Sequence, residues 1–154
     1  MYKETDPYVT TNSEYLKYDI PGEALTDERF ANMIREAEKY LGYPYVRGGS
    51  SPSTSFDCSG FTSYVYRQFG YSINRTASGQ LDNGTSVSMS ELQPGDLVMF
   101  RKSGSSSRAS HVGIYIGGDQ FIHASSSSGN SRCVTVSSLA ESYYANHYYT
   151  ARRH

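Results

Sequence analysis

Cys58 stands between Asp57 and the pair Ser59–Gly60, where a serine-rich loop gives way to a predicted helix. A thiol in the first turn of a helix lies at the positive end of the backbone dipoles, which favours the thiolate. The dipoles contribute only about 0.3–1 kcal/mol, whereas each unit of pKa requires about 1.4 kcal/mol. They therefore cannot bring a cysteine pKa well below neutrality, and a nucleophilic Cys58 needs a second cation or a base.

Two histidines lie in the segment HVGIYIGGDQFIHAS, whose pattern is typical of a β-hairpin. Apolar residues alternate along both predicted strands: Val112, Ile114 and Ile116 on the first, Ile122 and Ala124 on the second. If both sets face one core, His111 and His123 share the opposite face. Pairings with an even residue sum satisfy this, such as 112 with 122 or 112 with 124, closed by a three-residue loop with glycine. The two histidines then stand opposite or diagonal to each other, with Cβ atoms roughly 5–8 Å apart.

These three residues suit covalent catalysis by a helix-borne thiol and strand-borne imidazoles. An imidazolium at His111, within hydrogen-bond reach of Cys58, would give a thiolate–imidazolium pair that is nucleophilic before substrate binds. His111 is therefore predicted to be the base. His123 is predicted to be the third polar group, which holds the His111 ring in its productive tautomer.

The second cysteine, Cys133, lies in NSRCVTV with no histidine or helix start nearby, and we predict that it is structural. Two cysteines do not make a disulfide framework, so both are expected to be thiols. Cys58, His111 and His123 also have the chemistry of zinc ligands. No short ligand pair such as C-x-x-C or H-x-x-x-H is present, however, and we predict no metal.

Two helices followed by strands must position these residues. The first helix is predicted over DERFANMIREAEKYLG, with Thr26 as its N-cap and Gly42 as its stop, and the second over 58–69. Strands are predicted at 96–100, 111–117 and 120–125, and in RCVTVS and YYTARR. This order indicates an α+β fold, with N-terminal helices packed on a central antiparallel sheet. Residues 1–26 are predicted to be a tail or linker, 27–154 the folded domain, and KSGSSSRAS and SSSSGNS mobile loops.

Composition and charge exclude several classes of function. A formal charge of −1 offers no general attraction to nucleic acid or to anionic lipid. No apolar run is long enough to span a membrane, and the polar, acidic stretch MYKETDPYVTTNSEY has no apolar signal core. We therefore expect no nucleic-acid partner, no membrane span and no export signal in this chain.

The motifs as a set resemble the NlpC/P60 family of papain-like cysteine hydrolases of bacterial peptidoglycan. They are YLGYPYVRGG, FDCSGF, NRTASGQ, LQPGDLVMF and HVGIYIGGDQFIHAS, running from about residue 28 to the C-terminus. The resemblance implies a papain-like fold with Cys58 as the nucleophile, His111 as the general base and His123 as the third catalytic residue. It also implies an oxyanion held by backbone N–H groups near Cys58 and no cofactor. The expected activity is that of an endopeptidase cutting peptidoglycan stem peptides after γ-D-glutamate, before diaminopimelate or lysine.

The resemblance extends to substrate-binding residues. Tyr45 matches a cleft-lining tyrosine before the Gly-Gly turn, whose hydroxyl could support the oxyanion or a substrate carbonyl. Asp57 and Ser59, with Ser78 as a further candidate, match positions that meet the amine of a free N-terminal alanine in some members. Asp57 could instead cap the helix and Ser59 merely start it. Arg47 stands where the family commonly has tryptophan, and it could stack on tyrosine, meet a stem-peptide carboxylate or point to solvent.

Three other functions fit the same residues. The first is another amide hydrolase on the Cys-His core, such as an N-acetylmuramoyl-L-alanine amidase. The second is a catalytically silent wall-binding module, against which the intact Cys58, His111 and His123 argue. The third is an intracellular papain-like protease. From the resemblance we expect a secreted or wall-located monomer, and the missing export signal suggests a module of a longer exported protein, a processed form or a cytosolic recycling enzyme.

Overall fold

The structure, a computed structural model, describes residues 28–102, 104, 108–126 and 132–154. The predicted tail, the cap Thr26 and most of the two Ser/Gly-rich loops lie outside this described part. The described residues form the expected α+β arrangement, in which helices pack on an antiparallel sheet. Among them, no helix is both long and apolar enough to cross a membrane.

Both predicted long helices are confirmed. Helix α1 spans Glu28–Glu38, and its apolar stripe of Met33, Ile34 and Ala37 is fully buried. The chain leaves this helix through Gly42, whose φ of 90° lies in the left-handed region that glycine adopts readily. Helix α2 spans Cys58–Arg67 and therefore begins at the cysteine, as the sequence predicts.

The central sheet has six strands: β3 (Thr85–Val87), β4 (Leu97–Phe100), β5 (His111–Gly117), β6 (Gln120–Ala124), β7 (Val134–Ser138) and β8 (Tyr148–Arg153). Their order across the sheet is β3-β8-β4-β5-β6-β7, and all the neighbouring pairs are antiparallel. Five of these match predicted strands to within two residues. Strand β3 was not predicted, because only Val87 of its three residues is buried.

The β5–β6 hairpin adopts the second of the two predicted registers. Ile114 pairs with Ile122, which is the same register as 112 with 124. The predicted three-residue loop is wrong: a register shift after Tyr115 brings Gly117 opposite Gln120, leaving a two-residue turn at 118–119. That turn needs positive φ at both positions, and the structure has 58° and 61° there. In this register the two histidines of the hairpin are diagonal neighbours.

Both faces of the sheet are covered. The apolar residues of β5 and β6 pack against α1 and α2, as predicted. The face that carries the histidines holds a second cluster around Phe100, Tyr115, Phe121 and Tyr144. A short helix, α3 (Ala77–Gln80), follows α2 along the chain. Tyr144 comes from a fourth helix, α4 (Ser142–His147), which the sequence did not reveal. The histidines therefore lie in a largely enclosed environment instead of on an open sheet face.

A small hairpin fixes the start of α2. Strands β1 (Ser50–Ser51) and β2 (Ser55–Phe56) pair directly before the helix. The backbone of Gly49 crosses the first turn so closely that a Cβ on Gly60 would overlap the Gly49 carbonyl oxygen. Gly60 thus allows the loop to approach the helix, and Gly49 allows the approach of Ser55, whose carbonyl oxygen a Cβ on Gly49 would overlap.

Candidate active site

The Cys58 side chain lies at the N-terminus of α2 and is only 8% exposed. The Asp57 carboxylate caps the helix by accepting a hydrogen bond of 2.7 Å from the Gly60 N–H. Backbone N–H groups near the sulfur, including that of Val112 on β5, lower the pKa of the thiol and oppose the effect of burial. Because Val112 directly follows His111, the thiol lies against the strand that carries the predicted base.

Arg75 holds the Asp57 carboxylate in a bidentate ion pair, with both N···O distances 3.0 Å. The Gly48 N–H also donates to this carboxylate at 3.0 Å. Ser59 joins the same cluster, since its hydroxyl lies 3.0 Å from the Arg75 guanidinium and 3.4 Å from Asp57. The structure therefore brings Asp57 and Ser59 together, but both are already engaged with Arg75.

Ser78 does not contact that cluster. Its hydroxyl accepts from the Ala109 N–H at 3.0 Å and donates to the Ala109 carbonyl at 3.1 Å. It therefore anchors the segment that leads into β5. Gln80, which is fully buried, donates to the carbonyls of Ser59 and Asn74. The NRTASGQ motif thus contacts the start of α2 on one side and the approach to His111 on the other.

The two histidines and a serine form a hydrogen-bonded chain. Nε2 of His111 lies 2.7 Å from Nδ1 of His123, and Nε2 of His123 lies 3.0 Å from the hydroxyl oxygen of Ser137 on β7. His123 is fully buried and Ser137 is 3% exposed. The nitrogen of His111 that remains for the thiol is therefore Nδ1.

Gly113 makes room for this arrangement. It lies on the histidine face of β5, between His111 and Tyr115. A Cβ on Gly113 would lie 2.7 Å from the Phe121 ring and 3.0 Å from Cβ of His123. The absent side chain lets His123 lean diagonally toward His111, which explains a glycine in the middle of a strand.

Burial governs protonation at the site. It raises the pKa of the Cys58 thiol to about 11, and the Asp57 charge adds to this while the backbone N–H groups oppose it. Burial of the ring lowers the pKa of His111 to about 4, although the residue as a whole is only partly buried. Both shifts favour the neutral thiol and the neutral imidazole. They run against the ion pair expected from the sequence, because either charge would be removed from water.

Tyr45 borders the nucleophile, and two arginines flank it. It forms an isolated bridge with Phe56, two residues before Cys58. The Arg132 guanidinium lies over the Tyr45 ring, 5.6 Å from its centroid. Burial raises the pKa of Tyr45, the nearby Cys58 and Asp57 add to this, and the charges of Arg132 and Arg47 oppose it. Arg47 itself is exposed, so Arg132 makes the stacking contact considered for Arg47.

Both cysteines are free, buried thiols, as expected. The backbone of Cys133 bridges that of Pro44, which gives it the structural position predicted for it. Within the described ranges, no group of three or more His, Cys, Asp or Glu side chains is arranged to hold a metal ion.

Sequence reasoning missed four residues of this site. Arg75 and Gln80 lie within NRTASGQ, a motif in which the sequence predicts only Ser78 as a site residue. The signal that could have identified them is their polar side chains, which lie between two predicted elements. Ser137 pairs with Phe121 and therefore lies on the same face of the sheet as His123. Finding it from the sequence would require the β6–β7 register. Arg132 follows a serine-rich loop, and nothing in its neighbours marks it.

Comparisons with known proteins show which family the chain resembles. The model of the NlpC/P60 family matches residues 42–153. A probable endopeptidase p60 of Listeria grayi is 52% identical over 95 residues, which are 62% of this chain and 18% of that protein. The gamma-DL-glutamyl hydrolase of Bacillus subtilis (strain 168) is 44% identical over 113 residues, 73% of this chain and 26% of that protein. The chain thus spans about a fifth to a quarter of these two relatives.

A third relative is matched over most of its length. The murein DD-endopeptidase MepS/murein LD-carboxypeptidase of Escherichia coli (strain K12) is 42% identical over 139 residues, 83% of this chain and 70% of that protein. Among solved structures, an NLP/P60 family protein of Staphylococcus aureus superposes with a TM-score of 0.75 and 37% identity, covering 93% of this chain and 44% of that one. The NlpC/p60 domain of peptidoglycan hydrolase SagA gives 0.67 and 39%, covering 81% of this chain and 98% of that domain.

Proposed function

This chain belongs to the NlpC/P60 family, and we propose that it is a cysteine peptidase that hydrolyses peptidoglycan stem peptides at the cell wall. The observation that carries the proposal is the placement of a buried thiol at the start of α2, against the strand that begins with His111. A hydrogen-bonded pair of histidines behind that thiol has a clear use in amide hydrolysis. The names of the relatives, two endopeptidases and a gamma-DL-glutamyl hydrolase, support the same chemistry.

The first half of the reaction forms a thioester. The Cys58 sulfur attacks the carbonyl carbon of the substrate while Nδ1 of His111 takes the thiol proton, so deprotonation accompanies attack. The backbone N–H groups of Cys58 and Ser59 lie at the helix start beside the sulfur, where they would stabilise the oxyanion. When the tetrahedral intermediate collapses, the C–N bond breaks and His111 gives its proton to the leaving amine.

Water completes the cycle. His111, again neutral, takes a proton from a water molecule that attacks the thioester carbonyl. The C–S bond then breaks, the sulfur recovers the proton from His111, and the product leaves as a carboxylic acid. His123 accepts the Nε2–H bond of His111 in both halves, which keeps Nδ1 available for the proton.

We propose that the scissile bond follows a γ-linked D-glutamate and precedes diaminopimelate or lysine. Such a residue carries a free α-carboxylate next to the bond. Arg132 lies over the Tyr45 ring, the charge of Arg47 also acts on Tyr45, and neither arginine has an acidic partner among the described residues. Two guanidinium groups close to Tyr45, with no acidic partner in the described part of the chain, suit an anionic substrate. The relative named gamma-DL-glutamyl hydrolase supports this choice of bond.

The contacts of Asp57, Ser59 and Ser78 do not favour binding of a free N-terminal amine. The Asp57 carboxylate already accepts bonds from Arg75, Gly48 and Gly60. An ammonium group would have to compete with a bidentate guanidinium for the same oxygens. We therefore propose that the substrate is a stem peptide whose N-terminal alanine is acylated, as it is when attached to the glycan.

A second candidate is cleavage of the DD cross-link between stem peptides. It is favoured by the Escherichia coli relative, which is matched over 70% of its length and is named a murein DD-endopeptidase and LD-carboxypeptidase. Both candidates use the same thiol and the same base, so they differ only in which amide of the stem lies over Cys58.

Digestion of defined muropeptides with mass analysis of the products tests these proposals. Cutting after γ-D-glutamate releases a fragment that begins with the diamino acid, whereas DD cleavage converts cross-linked dimers into monomers. Release of peptides with a free N-terminal alanine would identify an amidase instead, and new reducing ends would identify a glycosidase. The variant Cys58→Ala should lose all activity, with Cys133→Ala as the matched control that retains it. Turnover by Cys58→Ala would end the cysteine mechanism.

A further inference from the structure

The serine behind the histidine pair has a role that the sequence did not suggest. Ser137 lies on β7, its hydroxyl is 3.0 Å from Nε2 of His123, and it is almost fully buried. His123 in turn contacts His111 through its other nitrogen, at 2.7 Å. Each neutral imidazole has one N–H and one lone pair, so these two bonds cannot be oriented independently.

Only two orientations of the chain satisfy both bonds. In the first, Ser137 accepts from the Nε2–H of His123, Nδ1 of His123 accepts from the Nε2–H of His111, and Nδ1 of His111 carries a lone pair. In the second, Ser137 donates, both histidines carry the proton on Nδ1, and His111 presents an N–H group to the thiol. A base must present a lone pair to Cys58, so only the first orientation is active.

The first orientation of the hydrogen-bonded chain is also the one required during the reaction. When His111 has taken the thiol proton, both of its nitrogens carry hydrogen, and Nδ1 of His123 must be an acceptor. His123 then keeps its proton on Nε2, which needs an acceptor in a site closed to water. The bond to Ser137 is therefore stronger when His111 is charged than when it is neutral.

We propose that Ser137 is a positioning residue that accepts the Nε2–H bond of His123, which stabilises the orientation in which Nδ1 of His111 is the base. The expected effect of Ser137 on kcat rests on the proposed function. Its effect on the tautomers of the two histidines does not, because it is present without substrate. The role is distinct from that of a buried serine that merely fills space, because it acts on the position of two protons.

Nitrogen NMR of the histidine rings tests the tautomers directly, in the whole protein without substrate. We expect His111 and His123 of the unaltered protein to carry hydrogen on Nε2 and a lone pair on Nδ1. In Ser137→Ala both rings should show a mixture of tautomers. Ser138→Ala is the matched control, because this neighbour lies on the opposite face of β7 and its hydroxyl contacts the Ala140 N–H. It should leave the tautomers unchanged.

Kinetics supply the second readout. Ser137→Ala should lower kcat about tenfold, the loss of one hydrogen bond that matters most in the transition state, with KM changed less than about twofold. Ser137→Thr keeps the hydroxyl and should restore most of the activity. The proposal is overturned if His123 of the unaltered protein carries its proton on Nδ1. It is also overturned if folded Ser137→Ala keeps full kcat, or if Thr and Ala are equally impaired. An unaltered protein that cleaves no muropeptide would refute the proposed function alone, since the NMR result would still decide the role of Ser137.

Discussion

The reactivity of Cys58 toward an alkylating agent should depend steeply on pH. Alkylation by iodoacetamide proceeds through the thiolate, so its rate follows the thiolate fraction. With the pKa of Cys58 raised to about 11, that fraction is about 10⁻⁴ at pH 7 and about 10⁻² at pH 9. The rate constant should therefore rise about a hundredfold over this range. A thiolate–imidazolium pair would instead react at a nearly constant rate from pH 5 to 8.

The assay uses Cys133→Ser, which leaves Cys58 as the single thiol, and follows the mass of the intact protein over time at each pH. Because Cys58 is 8% exposed, burial lowers the absolute rate at every pH but leaves the slope unchanged. The second perturbation is His111→Ala in the same background. If the resting pair is neutral, removing the imidazole should change the slope very little.

Two results would refute this reasoning. One is a flat profile near neutrality, which would mean that the mutual attraction of thiolate and imidazolium outweighs their loss of hydration. The other is a large fall in the rate at pH 6 to 7 caused by His111→Ala, which would show that the histidine already ionises the thiol. Either result would restore the ion pair expected from the sequence.

Four further outcomes are expected. His111→Ala should be as inactive as Cys58→Ala, whereas His123→Asn should keep a measurable kcat and His123→Ala less, because an amide oxygen still accepts from His111. Gly113→Ala should lower kcat and cost about 1–3 kcal/mol in urea unfolding, since its Cβ would crowd His123. Lowering the pH from 6.5 to 4 should reduce the free energy of unfolding by up to about 3 kcal/mol. In this range His111 binds a proton in the unfolded chain but much less in the folded protein, where its pKa is about 4. The variant His111→Ala should not show this loss. Arg132→Gln should reduce kcat/KM for stem peptides with D-isoglutamate more than for those with D-isoglutamine, and equal reductions would remove Arg132 from carboxylate binding.

Much of the fold could be predicted because the two faces of the hairpin differ in chemistry. Alternation of apolar residues in β5 and β6 restricts the pairing to registers of one parity, and this alone brings His111 and His123 to the same face. The exact register and the turn depended on the bulge after Tyr115, which no periodicity reveals. Strand β3 and helix α4 each bury a single side chain, so neither produces a repeating pattern.

The residue types of the candidate site could be predicted from the sequence, but the protonation states of Cys58 and the two histidines could not. A thiol at a helix start and two histidines on one sheet face follow from local patterns. The proton positions do not, because they depend on α4 and the second apolar cluster, which enclose His123 and remove the site from water. Ser137 could not be predicted either, because its position opposite Phe121 depends on the pairing of β6 with β7, which the sequence does not reveal.

The segment at 74–80 explains how a nucleophile and a base on different elements keep their separation. Arg75 and Gln80 bond to the start of α2, through Asp57 and through the Ser59 carbonyl. Ser78, between them in the sequence, bonds twice to Ala109, two residues before His111. A shift of this segment would therefore move the Cys58 helix and the approach to β5 together. Asp57, Ser59 and Ser78, which resemble a substrate-binding cluster, therefore take part in contacts that position Cys58 next to His111.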